Sequence, residues 1–451
     1  MSAAKGAPTV RFAPSPTGLM HVGNARVLLV NWLFARAAAG RFLLRLDDTD
    51  RARCEDSYAT AIEEDMEWLG LDRDGFSRQS DHLDSYDKAC AALREAGRLY
   101  PCYETPDELA LKRKNLLSRG QPPLYDRAAL ELSEAEREKL EGEGRIPHWR
   151  FKLEGGEVAW DDLVHGDLSF DGANLSDPVL VREDGTYLYM LPSTVDDAAM
   201  EVSHVVRGDD HLTNSAVQIQ LFAALGAKTP RFAHLPLLKD AEGGELSKRL
   251  GSLSLNDLRE DGIEAMAVNS LLASLGTSEA VKEHGSMEEL VGAFDFAKFS
   301  RNPPKFSYEE LKRLNGRILH LLPFDQVAPR LAEMGLGEAD PEFWTAVRPN
   351  LARLDEAREW WRICTGEVTP VIEDGEFAAA ACALLPEGYW DEASWGQWTK
   401  AVAKKTGRKG RDLFHPLRLA LTGCDHGPEM KALLPLMGRE RVQARLRGET
   451  A

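Results

Sequence analysis

Val10-Arg11-Phe12-Ala13-Pro14-Ser15-Pro16-Thr17-Gly18-Leu19-Met20-His21-Val22-Gly23-Asn24 decides how the rest of the chain is read. Its apolar start has the look of a strand that ends at Phe12. Pro14 and Pro16 lack the N–H that a strand interior donates, so pairing stops there. Gly18 and Gly23 remove side chains where the backbone must turn or touch a ligand. Val27, Val30, Leu33, Phe34 and Ala37 then recur at helical spacing, with Gly40 as the stop signal. A strand, a stiff loop and a helix N-terminus in succession make an anion site at the strand's carboxyl end. Such a loop is usually only a turn, but this one also carries an Arg, a Ser and a His, more than a turn needs.

Outward from this stretch, Arg41-Phe42-Leu43-Leu44-Arg45-Leu46 reads as a second strand running into Asp47-Asp48-Thr49-Asp50-Arg51. The strand–helix–strand order predicts a doubly wound parallel sheet with ligands at the strand ends. Neither GxGxxG nor GxxxxGK[ST] occurs, so dinucleotide and P-loop readings find no support. The acidic cluster is either a solvated turn or cap, or it supplies Asp47 to hold an ammonium group; spacing alone leaves both open. Val202-Ser203-His204-Val205-Val206-Arg207-Gly208-Asp209-Asp210 is a further β-branched strand ending on an arginine. The planar guanidinium fork of Arg207 suits a carboxylate; the bland alternative is an internal ion pair with Asp209 or Asp210.

These motifs carry a resemblance. The first stretch resembles the His-Val-Gly-Asn version of the first signature of class I aminoacyl-tRNA synthetases, and Arg-Phe-Ala-Pro-Ser-Pro-Thr-Gly is similar to the glutamyl branch in particular. Gly243-Gly244-Glu245-Leu246-Ser247-Lys248-Arg249-Leu250-Gly251-Ser252 resembles the second signature in its glutamyl form, Lys-Leu-Ser-Lys-Arg. Glu245 departs from it, standing where the family has its first Lys; Lys239 or Arg249 could replace that contact. Asp209 likewise stands where Glu is common.

The resemblance implies a Rossmann-like parallel-sheet α/β catalytic domain with an inserted α/β acceptor-binding domain, followed by all-α anticodon-binding domains. On this reading residues 1–98 and 184–252 form the catalytic domain, 99–183 the insertion, 253–320 a helical stem-contact domain and 321–451 the anticodon-binding region. Trp149-Arg150-Phe151-Lys152 and Leu168-Ser169-Phe170 are read as strands of the insertion. The implied activity is ATP-dependent ligation of L-glutamate to tRNA through glutamyl-adenylate. His21, Asn24 and Lys248 would hold the phosphates with Mg²⁺, joined at the ATP site by Gly23, Asp210, Leu238 and Ser247. Glutamate would meet Arg11, Ala13, Ser15, Asp47, Tyr189, Ser193 and Arg207. Asp47 replaces a usual Glu, one methylene longer, and Ser193 sits where some relatives have Asn.

Two family features are in question. Some glutamyl enzymes bind zinc through Cys-x-Cys and a later Cys/His pair. This chain has Cys102-Tyr103-Glu104 and then Tyr125-Asp126-Arg127, so no zinc is expected. Strict relatives reject the glutamine anticodon with an Arg in an Arg-Pro-Arg context. Here Arg348-Pro349-Asn350 occupies that place, so both tRNA-Glu and tRNA-Gln stand as candidate partners.

The totals agree. A chain of 451 residues exceeds one compact core and predicts two to four domains. A net charge of −18 argues against non-specific polyanion binding but leaves room for local basic faces. No apolar run reaches spanning length and Met1–Gly6 lacks a signal-peptide core, so a cytoplasmic monomer away from membranes is expected. Six scattered cysteines predict reduced thiols. Lys112-Arg113-Lys114 is read as an exposed helix face, and Trp360 and Trp361, taken singly, as core. Three rivals stay open: a small nucleotidyltransferase of the same superfamily, a shortened glutamyl-queuosine-type paralogue, and a non-catalytic tRNA-binding relative. The first two would not need the helical last third.

Overall fold

The structure is a computed structural model that describes residues 6–244, 246 and 253–451. The chain divides into two compact units, Met1–Arg259 with Val268–Ser307, and Glu260–Ala267 with Tyr308–Ala451.

The first unit is built on a parallel sheet. Strands β1 (Thr9–Phe12), β2 (Arg41–Leu46) and β3 (Gly75–Arg78) run parallel in that order, with helix α1 (Val22–Ala37) crossing from β1 to β2 and α2 (Asp56–Trp68) from β2 to β3. The sequence Arg-Phe-Leu-Leu-Arg-Leu of β2 is buried on both faces after its first residue, as helix-covered parallel strands are. Helix α3 (Leu83–Glu95) then leads into a smaller antiparallel sheet of β4 (Leu99–Cys102), β5 (His148–Phe151) and β8 (Val179–Val181). Helices α4 (Pro106–Ser118) and α5 (Glu134–Gly142) are inserted between β4 and β5, each closed at its start by a capping box, Thr105 with Glu108 and Ser133 with Glu136. Lys112 on α4 is tied to Glu104 and Asp126, which makes it part of an ion-pair cluster within the insertion.

The hairpin of β6 (Glu157–Asp162) and β7 (Gly166–Asp171) corrects one expectation. Leu168–Phe170 does not join the insertion's sheet; β6 pairs in parallel with β10 (Arg231–Leu235), which in turn pairs with β9 (His204–Gly208). The physical reason lies at Asp162 and Leu163: Leu163 N–H donates to Phe232 C=O, and the Asp162 carboxylate accepts the His234 N–H. Between β8 and β9 lies helix α6 (Met190–Ala199), and between β9 and β10 lies α7 (Leu212–Ala224). Ser203 N–H donates to Thr9 C=O and Thr9 N–H to Ser203 Oγ, so β9 lies beside β1. The two sheets thus lie edge to edge, in the spatial order β3-β2-β1 and then β9-β10-β6-β7. The chain direction of the order reverses between β1 and β9, the place where such sheets bind ligands at the strands' carboxyl ends.

The second unit is helical. Trp344 and Trp398 are almost wholly enclosed, and Trp360 and Trp390 nearly so, so these aromatics are core. Arg445 is fully buried there; its donors reach the carbonyls of Ile363, Leu421 and Gly366 and a main-chain oxygen of Ala451 at 2.7–2.9 Å. Among the described residues, no helix is long and apolar enough to cross a membrane.

Candidate active site

The loop after β1 is fixed from both sides. Asp47 N–H at the end of β2 donates to Pro14 C=O, and Glu55 N–H donates to Pro16 C=O. His21 then caps α1: its Nδ1 accepts from Gly23 N–H at 3.1 Å and Asn24 N–H at 3.3 Å. Because Nδ1 accepts, the proton of the neutral ring sits on Nε2, which remains a donor; partial burial holds the ring below the ordinary imidazole range and so keeps it neutral. Gly23 leaves room for this cap. A Cβ at this position would stand 3.0 Å from His21 Cε1 and Nδ1.

A cleft of about 500 Å³ opens over this helix start, at the carboxyl ends of β1 and β9. Arg11, Ala13 and Ser15 line it from β1 and its loop, with His21, Gly23 and Asn24 from the start of α1. Asp47 closes it from β2, Tyr189 from the start of α6, and Arg207 and Asp210 from the end of β9. Leu238, just beyond β10, completes the far rim. Thus the residues drawn from both readings, phosphate and amino acid, meet in one place. Ser193 does not line it; the side chain is fully buried, 3.4 Å from Arg45 Nη2. Ser247 and Lys248 lie outside the described residues. The chain on either side of them is at the cleft: Leu238 lines it, Ser254 is bridged to His21, and Leu255 N–H donates to Met20 C=O.

The floor of the cleft is a buried charge network that the sequence reading missed. Arg45 Nε lies 2.7 Å from Asp47 Oδ1, and its Nη1 lies 2.6 Å from Asp197 Oδ1. Arg11 Nε shares Asp197 Oδ1 at 2.9 Å. Asp196 stands 3.9 Å from Arg45 and accepts from Tyr86 at 2.8 Å, with the His82 ring at 2.9 Å. Burial pushes the Asp47 carboxyl up despite Arg45, whereas for Asp197 the two arginines outweigh burial and pull it down. The one signal available in the sequence was a charged residue, Arg45, inside an apolar strand.

Arg207 is different. It is 6% exposed, yet no acid pairs with it among the described residues, which rules out the ion pair with Asp209 or Asp210. Its Nη1 donates to Tyr189 Oη at 2.8 Å, its Nη2 to Ser215 Oγ at 2.5 Å, and its Nε has no partner. Burial lowers its pKa, since nothing negative offsets the desolvation in direct contact. A guanidinium buried without a counter-charge at the wall of a polar cleft is poised for an anionic ligand. His211, beside it, is pushed down to about 4 by burial and then by Arg207, so it is neutral at pH 7. Arg26, also missed, fastens the back of the site: Nη1 donates to Pro236 C=O at 2.7 Å and Nη2 to Leu275 C=O at 3.1 Å.

Away from the cleft, Cys102 Sγ, a Glu104 oxygen and a His148 ring nitrogen lie within 4.8 Å of one another, a grouping in which His148 was not foreseen. Tyr125 Oη donates to Glu104 at 2.9 Å, and the Lys112 ammonium is 3.1 Å from the same carboxylate. In the second unit, Arg348 Nη1 donates to Leu322 C=O at 2.9 Å, and Asn350 is exposed.

Comparison with known proteins fits this geometry. Residues 8–313 match the family model of the class I tRNA synthetases (E and Q), catalytic domain, and residues 376–449 match an anticodon binding domain. A glutamate–tRNA ligase of Azospirillum brasilense is 59% identical over 98% of this chain and 99% of its own length. Glutamate–tRNA ligase 2 of Methylorubrum populi is 58% identical, again over 98% of this chain and 99% of its own. A solved glutamate tRNA ligase from Elizabethkingia meningosepticum, in complex with its amino acid, superposes with a TM-score of 0.86 at 28% identity, covering 98% of both chains.

Proposed function

The chain belongs to the class I tRNA synthetases for glutamate and glutamine, and from that premise we propose how its residues divide the work of joining L-glutamate to tRNA with ATP. In the first step a glutamate α-carboxylate oxygen attacks the α-phosphorus of ATP, the bond to pyrophosphate breaks, and glutamyl-adenylate forms. In the second, the 2′-hydroxyl of the terminal adenosine of tRNA attacks the acyl carbon and AMP leaves.

Steps of this kind need positioning and charge neutralisation more than covalent help from the protein. The neutral His21 ring offers its Nε2–H to a phosphate oxygen, and the amides at the start of α1 add a positive helix end. Lys248 is assigned to the pyrophosphate on motif position alone. Bound with the triphosphate, Mg²⁺ would supply charge neutralisation there. Asp210, which lines the cleft, is assigned to a ribose or ATP contact.

The observation that carries the amino-acid assignment is Arg207, a buried cation with no acid beside it, 2.8 Å from Tyr189. It receives a substrate carboxylate together with Arg11, while Ser15 and Asp47 face the ammonium. Two guanidinium groups that only donate reject glutamine, whose amide would turn its own donors toward them. Pyrophosphate exchange that requires both glutamate and tRNA tests the whole reading. Its absence with all substrates present would sink it and revive a non-catalytic relative.

Two finer points belong to this proposal. Asn350 in place of a discriminating Arg supports charging of tRNA-Gln as well as tRNA-Glu. Lys112 against Glu104, with only one thiol, supports a chain without structural zinc. Stoichiometric zinc surviving chelator washing would overturn the latter.

A further inference from the structure

Behind the cleft wall, four side chains from four elements stand in one hydrogen-bonded line. Asp162 at the end of β6 has its Oδ2 2.5 Å from His234 Nδ1 on β10. His234 Nε2 is 2.7 Å from Ser215 Oγ on α7, and Ser215 Oγ accepts from Arg207 Nη2 at 2.5 Å on β9. Asp162 is 2% exposed, and His234 and Ser215 are fully enclosed.

The direction of the line follows from donors and acceptors. Asp162 Oδ1 already accepts the backbone N–H groups of Val164, His165 and His234, so this carboxylate is held ionised and accepts at Oδ2 as well. His234 therefore carries its proton on Nδ1 and accepts at Nε2 from the Ser215 hydroxyl. Ser215 Oγ then presents a lone pair to Arg207. The carbonyl of His211, 3.3 Å from Ser215 Oγ, is the longer alternative for the hydroxyl proton. Acid, imidazole and hydroxyl resemble a nucleophilic triad, but Ser215 is enclosed and its lone pair is taken by a guanidinium. The line does not make a nucleophile. It ends on a cation.

The arrangement solves a conflict. An acid in direct contact would fix Arg207 but would also neutralise it and compete with a substrate carboxylate. Here the nearest fixed negative charge on the line is two neutral groups away. We propose that Ser215, His234 and Asp162 are positioning residues that aim Arg207 at the glutamate carboxylate while leaving its charge uncancelled, so that they set the KM for glutamate. The proposal rests on the assignment of Arg207 as a carboxylate ligand.

The test is aminoacylation of tRNA-Glu at saturating ATP and tRNA, with glutamate varied, for the wild type, Ser215→Ala, His234→Gln, Arg207→Ala and the Ser215→Ala/Arg207→Ala pair. Loss of one hydrogen bond to a charged group is expected to raise the glutamate KM of Ser215→Ala about 10-fold or more. Its kcat and its KM for ATP should stay within about threefold of wild type. Arg207→Ala should lower kcat/KM for glutamate at least about 100-fold, and adding Ser215→Ala to it should cost nothing more. Thermal melting checks each fold, and if Ser215→Ala melts early, His234→Gln supplies the same comparison. An unchanged glutamate KM in both relay variants, with Arg207→Ala impaired, overturns the relay and spares the Arg207 assignment. Near-normal kcat/KM in Arg207→Ala overturns the assignment itself. A loss in kcat alone, or equal rises in the KM of glutamate and ATP, marks a merely structural role and also overturns the relay.

Discussion

Replacing Arg45 by Met removes one positive charge from the floor of the cleft while keeping a side chain of similar length. In the native protein its guanidinium holds Asp47 at 2.7 Å and Asp197 at 2.6 Å, with Asp196 at 3.9 Å. After the change Arg11, at 2.9 Å from Asp197, is the one arginine left beside these three buried acids among the described residues. Removing one partner of a buried ion pair costs about 3–5 kcal/mol, because the other is left charged and dry. That is a large share of the roughly 5–15 kcal/mol that holds a domain folded. The loss should also depend on pH in a diagnostic way. Burial already raises the Asp47 carboxyl above its ordinary range, and without Arg45 it rises further. A carboxyl whose folded pKa exceeds its unfolded one keeps the folded state protonated longer, so stability is present at acid pH and is lost as pH rises through the folded value. Arg45→Met should therefore be hurt least near about pH 4 and most near about pH 8. Urea unfolding followed by tryptophan fluorescence across that range measures it, and a second change, Asp47→Asn, should restore part of the loss, because it removes the acid left without its partner. A loss under about 1 kcal/mol at pH 8, or one that does not vary with pH, would refute the charge argument in favour of simple packing.

Gly23→Ala brings a methyl to 3.0 Å from the His21 ring and should displace the cap from the amides of Gly23 and Asn24; kcat/KM for ATP should fall about tenfold in pyrophosphate exchange, and an unchanged value would mean that the cap plays no part in nucleotide binding. Charging purified tRNA-Glu and tRNA-Gln side by side should show activity on both, with Asn350→Arg shifting the ratio toward tRNA-Glu; a wild type inert on tRNA-Gln contradicts the Asn350 reading. His204 and His211 are each pushed down to about 4, chiefly by burial, so an unfolding chain takes up protons at these sites between that value and the unfolded value near 6.5. Their contribution is complete above the unfolded pKa and is lost as pH falls, so Tm should drop between about pH 7 and pH 5, and less steeply in His204→Gln; a flat Tm over that interval counts against it.

The parts of the site that are local in sequence were legible there. Pro14, Pro16, His21 and Gly23 lie within one short stretch, and their chemistry constrains the backbone directly, so strand, loop and helix start could be read from residue types. The floor of the cleft was not legible, because Arg45 meets Asp197 and Asp162 meets His234 across long separations in the chain. Hydrophobic periodicity marks which face of an element is buried but does not say which polar residue will be found opposite. The hairpin misread has the same origin. Leu168–Phe170 alternates half-buried and exposed positions as any edge strand does, whichever sheet it joins. Only the pairing of Leu163 with Phe232 distinguishes the two, and that is a tertiary fact.

Arg26 joins three stretches that lie far apart along the chain, the first helix, the segment at Pro236 just after β10 and the turn at Leu275. A chimera whose first helix lacked an arginine at position 26 would leave two backbone carbonyls without their donor in a dry interior. Drift at Leu275, well outside the nucleotide loop by sequence, would be felt first as a misplaced Pro236 at the rim of the cleft.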